Sequence, residues 1–176
     1  YKEDLKLFFD YFKDTNNIPV RYIQEKNSIK ELSPYDIVVE ISGGSPTQAT
    51  GRCLYITKEL VDHYDGHIIC SNFCQPLTCK TEADALYMYY TWCLIYNNNN
   101  MFHYEGKTSG IKNFQMDSFL SEFWILPDKY TLNRFREIVS PLMSDISKNN
   151  FLNKNLQNQR EFMLPLLMNG QVTIKD

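Results

Sequence analysis

Residues 40–52 read EISGGSPTQATGR, and the reading of this stretch decides the fold. A short apolar run, Ile37-Val38-Val39, precedes it, and Cys53-Leu54-Tyr55-Ile56 follows. Two strand signals separated by glycine and hydroxyl residues predict a strand, a polar loop and a returning strand, with Gly43 and Gly44 supplying positive φ. The competing reading is a phosphate cradle, which needs two glycines separated by four residues and then Lys and Ser or Thr. Here Gly44 and Gly51 have six residues between them, and Arg52 stands where the lysine would. No Gly-x-Gly-x-x-Gly occurs either, so the backbone that would wrap a phosphate is missing. A loop that only turned the chain would not need Ser45, Thr47, Gln48, Thr50 and Arg52 together. Glutamine can pair at two positions with adenine, and arginine with guanine or a phosphate.

Outward from this loop, Leu32-Ser33-Pro34-Tyr35-Asp36 predicts a turn and Val20 to Ile23 a strand. Residues 1–15 place Leu5, Phe8, Phe9 and Phe12 on one helical face. Further strands are expected over His67 to Cys70, Phe73 to Leu77 and Glu122 to Leu126. A helix is expected over Glu82 to Tyr96, with Ala83, Leu86, Tyr87, Tyr90 and Leu94 at three- and four-residue steps. Asn97 to Asn100 ends it. Gly106 to Asn113 reads as a second polar, glycine-bearing loop, with Lys107, Thr108, Ser109, Lys112 and Asn113 as donors for phosphates and bases.

From Thr131 to Leu164 there is no glycine. Phe135, Ile138, Leu142, Ile146, Leu152, Leu156 and Met163 form an interrupted stripe with polar residues opposite, as on a helix facing one partner helix. At the usual rise this helix would span about 50 Å. Pro141 either opens a new helix capped by Ser140 or kinks the run. Pro165 and Gly170 are expected to close it.

Composition bounds the function. The 176 residues are 43% hydrophobic, which excludes a wholly disordered chain. The 14% aromatic content favours a strand-rich core. The chain begins at Tyr1, so a missing N-terminal portion is expected. No apolar run has the length of a membrane span, and the five irregularly spaced cysteines suit reduced thiols in a cytoplasm. Up to Asp128 there are 11 basic residues against 17 acidic, and from Lys129 onward 7 against 4. A nucleic-acid binder with this balance needs a local basic face within an acidic body. Arg21, Arg52, Lys107 and Lys112 are the expected members of that face.

His63, His67, Cys70 and Cys74 have ligand types that suit zinc, but a Tyr64-Asp65-Gly66 turn divides them and the spacing matches no common structural site. Cys70 reads more simply as a small buried side chain. No cysteine or serine sits locally beside a histidine and an acid, so catalysis by this chain is not expected.

The stretch from Tyr35 to Arg52 resembles the loop region of a DNA target-recognition domain. Thr108-Ser-Gly-Ile-Lys-Asn-Phe114 and Ile125-Leu-Pro127 resemble the close of such a domain. Arg160-Glu-Phe-Met-Leu-Pro-Leu-Leu-Met-Asn-Gly-Gln171 resembles the end of the helix that follows it. In this order the three segments resemble the specificity subunit of type I restriction–modification systems. The resemblance implies an α+β chain: a strand-rich target-recognition domain over 1–128, truncated at its N-terminus, a long spacer and dimerisation helix of coiled-coil type over 129–165, and a tail over 166–176. It implies a non-catalytic, cytoplasmic subunit that reads half of a bipartite site on double-stranded DNA. Its partners would be methylation subunits, a motor-nuclease subunit, and a second recognition domain or a second copy. S-adenosylmethionine, ATP and magnesium would belong to those partners, with no cofactor or metal in this chain. The implied DNA contacts are Arg21, Ser45, Thr47, Gln48, Thr50, Arg52, Lys107, Thr108, Ser109, Lys112 and Asn113, and the implied helix interface is the stripe from Phe135 to Met163. The alternative is a protein-interaction module whose helix dimerises and whose loops bind no DNA.

Overall fold

A computed structural model describes residues 31–43, 47–64, 67–108, 111–122 and 124–172, with residues 18, 22 and 24 singly. The helix expected over 1–15, all but Tyr22 of the strand expected at Val20 to Ile23, Arg21, Ser45 and Ser109 lie outside the described residues, as do the side chains of Lys107 and Thr108. The chain divides into two compact units, one spanning Val20–Ser144 and the other including the residues from Asp145 onward.

The architecture is mixed α+β, with two small antiparallel sheets and a long C-terminal helix. In the first sheet β1 (Ile37–Glu40) lies between β3 (Cys53–Tyr55) and β4 (Cys74–Leu77). In the second, β2 (Ser42–Gly43) pairs with β6 (Ile111–Phe114), which pairs with β5 (Glu105–Thr108). Ile41 is the joint between the sheets: its N–H donates to the Phe73 carbonyl at 2.8 Å, and its own carbonyl accepts from Phe114 N–H at 2.9 Å. One extended run therefore serves both sheets, with both backbone groups of the joint paired. The turn before β1 is the expected one. Asp36 is buried, and its carboxylate accepts from Ser33 N–H at 2.8 Å and the Thr78 hydroxyl at 2.7 Å. Tyr35 takes a φ of 75°, the value a glycine would ordinarily supply there.

The strands are shorter than the aromatic content suggested, and the aromatic side chains serve a different core. Helix α1 (Lys58–His63) is capped by Thr57, and α2 (Glu82–Asn97) by Thr81, whose hydroxyl accepts from Asp84 N–H at 3.2 Å. Against α2 packs a ring cluster in which Trp92 lies 4.4 Å from Phe119 and 5.8 Å from Phe114 between centroids. Phe119 belongs to α3 (Met116–Leu120), a helix the sequence pattern did not predict. The buried residues of α2 are Ala83, Ala85, Leu86, Tyr89 and Trp92; Ala83 and Leu86 belong to the expected face, whereas Tyr87 and Tyr90 are only half-buried and Leu94 is exposed. The helix is apolar on nearly every side, so spacing alone could not choose a face; the large rings of Tyr89 and Trp92 do.

Three expected elements differ. Gly106 to Asn113 is not a loop but the body of the β5–β6 hairpin, in which Phe114 supplies a buried apolar side chain. His67 to Cys70 contributes a single bridge, Glu31 to Ile69, rather than a strand. Residues 124–128 form no strand, and Ile125 and Leu126 are exposed.

The C-terminal helix α4 runs Lys129–Met168. Asp128, expected only as a stop, is its N-cap: Oδ1 accepts from Tyr130 N–H at 2.9 Å and Thr131 N–H at 3.1 Å. The helix passes through Pro141, and through Pro165 to close three residues later than expected. Gly170, at φ 67°, ends it: Gly170 N–H donates to the Leu167 carbonyl and Gln171 N–H to that of Leu166 at 2.9 Å. Within the first unit, Phe135 packs edge-on against Tyr90 at 5.8 Å, and the Tyr90 hydroxyl donates to Met143 Sδ at 3.3 Å. Ser140 donates to the Glu82 carboxylate and Ser144 to that of Glu59. Phe135 therefore serves its own unit rather than an outer interface. Ile138 and Leu142 remain 61% and 55% exposed on the same helix, and in the second unit Leu152, Leu156 and Met163 are exposed while Ile146 is half-buried. No helix among the described residues is long and apolar enough to cross a membrane.

Candidate functional site

The loop between β2 and β3 and the β5–β6 hairpin meet, and their meeting point is organised by one carboxylate. Glu105 Oε1 accepts from Thr50 N–H at 2.7 Å and the Thr50 hydroxyl at 3.2 Å. Its other oxygen pairs with Lys112 Nζ at 3.0 Å, and both side chains of that pair are largely shielded from solvent. Lys112 Nζ also donates to the Gln48 carbonyl at 3.4 Å and stands 5.2 Å from the centre of the Phe102 ring. Burial works to raise the Glu105 pKa, but the hydrogen bonds from Thr50 and Lys112 and the lysine charge outweigh it and hold the carboxyl below the usual glutamate range.

The rest of the loop is pinned from α2. The Tyr96 hydroxyl donates to the Ala49 carbonyl at 2.9 Å, and Trp92 Nε1 to the Gly51 carbonyl at 2.6 Å. Gly51 N–H returns to the Glu40 carbonyl at 3.0 Å, and Glu40 N–H to the Arg52 carbonyl at 2.8 Å. Gly51 needs to be glycine on two counts, a φ of 90° and the Phe114 ring only 2.8 Å from where a Cβ would stand. The Arg52 guanidinium lies on the Glu40 carboxylate through Nε at 2.8 Å and a terminal nitrogen at 2.5 Å.

The candidate contacts thus sort by environment. Thr47 and Gln48 are exposed, directly before Ala49, Thr50 and Gly51, whose backbone groups are held by Tyr96, Glu105 and Trp92. Thr50 is 2% exposed and its hydroxyl serves Glu105, so it holds the loop and offers nothing outward. Arg52 and Lys112 are each committed to an acid, and Asn113 Oδ1 accepts from the Ser42 hydroxyl at 2.6 Å across the β2–β6 pair. Lys107 occupies the position opposite Lys112 in the hairpin register. A basic face therefore requires Glu40 and Glu105 in its description. Neither acid carried a signal in the sequence: Glu105 stands 55 positions from Thr50, and in an acid-rich domain one glutamate looks like another.

The other readings find little to build on. His67 Nδ1 lies 3.2 Å from Glu31, and His63 stacks edge-on with Tyr64. Among the described residues no group of three or more His, Cys, Asp or Glu side chains could hold a metal ion. A cavity of about 430 Å³ beside His103 is walled by Tyr87, Tyr104, Phe119, Glu122 and Trp124, and among the described residues no serine or cysteine lines it. The chain matches no protein-family profile, no curated protein and no solved structure.

Proposed function

We propose that this chain is a DNA sequence-recognition module of the type I restriction–modification specificity class, which reads half of a bipartite site while partner subunits perform methylation and cleavage. The observation that carries this reading is the pinned segment: a backbone held at Ala49, Thr50 and Gly51, directly preceded in the chain by the exposed Thr47 and Gln48. Readout of base edges rewards side chains that are positioned before binding, because ordering them afterwards costs affinity. The exposed apolar residues of α4 supply a face for a partner helix. The ion pairs of Arg52 and Lys112 favour the alternative, a protein-interaction module without DNA binding, because phosphate affinity depends on available cations.

Two measurements separate the readings: the methylation pattern and the salt dependence of duplex binding. Gln48→Ala, in a complex reconstituted with the methylation partner, is expected to change which bases are methylated, with a discrimination loss of about 1–3 kcal/mol at one position. Lys107→Ala is expected to weaken all sequences about equally. Glu40→Gln removes the acid that holds Arg52, and is expected to raise duplex affinity roughly fivefold at low salt and to steepen the salt dependence by about 0.9 in log–log slope. Binding that ignores salt, together with an unchanged methylation pattern in Gln48→Ala, would establish the interaction module instead. Methylome sequencing of the source organism with and without this gene gives the same answer in the cell.

A further inference from the structure

Two of the five cysteines face each other across the element that pins the loop. Cys53 opens β3 and Cys93 lies in α2, and their Sγ atoms are 3.8 Å apart. On either side of Cys93, Trp92 and Tyr96 tie α2 to the carbonyls of Gly51 and Ala49, so the approach of the two sulfurs is fixed by neighbouring bonds. Cys53 is buried and Cys93 is half-buried, so reagents reach Cys93 first. A covalent bond needs the sulfurs to close by about 1.8 Å, a movement within the reach of a χ1 adjustment.

We propose that Cys93 and Cys53 form a dithiol modification site, which a low-molecular-weight disulfide such as oxidised glutathione converts into an intramolecular disulfide. The Cys93 thiolate attacks one sulfur of the reagent, the reagent's S–S bond breaks, and one thiolate leaves and takes up a proton. Cys53 then attacks Cys93 Sγ and expels the second thiolate, which takes up the Cys53 proton as it leaves. Two protein thiols are oxidised and one reagent disulfide is reduced to two thiols. The division of roles fits the surroundings. The hydrogen bond from Cys53 holds the Cys93 thiol below its ordinary pKa against the opposing effect of burial, and Tyr89 adds a second bond, while burial pushes Cys53 up. Cys70 and Cys74 are differently engaged: the Cys70 thiol donates to the Cys74 carbonyl at 3.7 Å, and the Ser71 hydroxyl reaches Cys74 Sγ at 3.8 Å.

The experiment treats the full chain with oxidised glutathione and follows free thiols, intact mass, and the linkage by peptide mapping. The expected result is loss of two thiols, a mass lower by two hydrogens, a peptide joining Cys53 to Cys93, and a melting temperature raised by roughly 5–10 °C. Cys53→Ser is expected to stop at the glutathione adduct on Cys93, and Cys93→Ser to react about tenfold more slowly than the parent. The proposal is overturned if the wild-type chain keeps all its thiols, links Cys70 to Cys74 instead, or accumulates only the Cys93 adduct. Because the mapping uses the wild-type chain, its result does not depend on either variant folding. Nor does it depend on DNA binding, so the dithiol site can fail or succeed separately from the functional reading.

Discussion

Glu105→Leu is expected to destabilise the Val20–Ser144 unit by about 3 kcal/mol, read from urea or thermal unfolding. The leucine removes the acid opposite Lys112 Nζ while leaving that ammonium shielded from water, and it orphans the Thr50 N–H and hydroxyl in a buried position. Pairing Glu105→Leu with Lys112→Met is expected to recover a good part of the loss, since replacing both members leaves no uncompensated charge. The same carboxylate sets a pH dependence. Its folded pKa lies below the unfolded glutamate value of about 4.3, so its contribution is fully present above that pH and is lost as pH falls through the lower folded value. Acid unfolding of the parent should therefore include a proton uptake at Glu105 that Glu105→Gln abolishes. If Glu105→Leu unfolded at the parent's denaturant concentration, the loop would be held by other contacts.

Gly51→Ala is expected to cost a similar amount, about 3 kcal/mol, through two independent effects. An alanine at φ 90° carries backbone strain of roughly 1–2 kcal/mol, because Cβ crowds the adjoining peptide. Its methyl would also stand 2.8 Å from Phe114, a ring packed against Trp92, Phe119 and Tyr104, so any retreat of Phe114 disturbs those contacts. Overpacking of this kind costs about 1–3 kcal/mol. The functional consequence follows from position. Gly51 lies between Thr50 and Arg52, so a displaced backbone here moves Gln48, and under the proposed DNA-reading function base discrimination in the reconstituted complex is expected to fall along with stability. The control is Gly170→Ala at the end of α4, also at positive φ but with open space around it, where only the strain of roughly 1–2 kcal/mol is expected. Equal losses at the two glycines would mean that Phe114 yields.

Charge available to a ligand is a tertiary quantity in this chain. The sequence offers Arg52 and Lys112 as two members of a basic face, on the argument that cations near an exposed polar loop meet phosphates. Folding pairs them with Glu40 and Glu105, twelve and seven positions away, and in the sequence both acids register only in the net charge. Coulomb attraction between groups brought within about 3 Å in a partly dry setting exceeds anything net charge can express. The stripe on α4 divides for a similar reason. Phe135 found Tyr90 in its own unit, while Ile138 and Leu142, on the same helix, found no comparable cover.

The sequence by itself determined the turn at Pro34-Tyr35-Asp36, the strands on either side of residues 40–52, the helix from Glu82, and the long helix beyond Asp128. Each of these is written in local chemistry: a fixed φ, a short apolar run, a capping hydroxyl or carboxylate, a long span without glycine. Tertiary structure decided the rest: which face of the Glu82–Asn97 helix is buried, that Gly106 to Asn113 pairs as a hairpin, and that Glu105 gathers Thr50 and Lys112. Those outcomes depend on contacts that form between separate elements. Their energies exist only once the chain has closed on itself, and no periodicity along it records them.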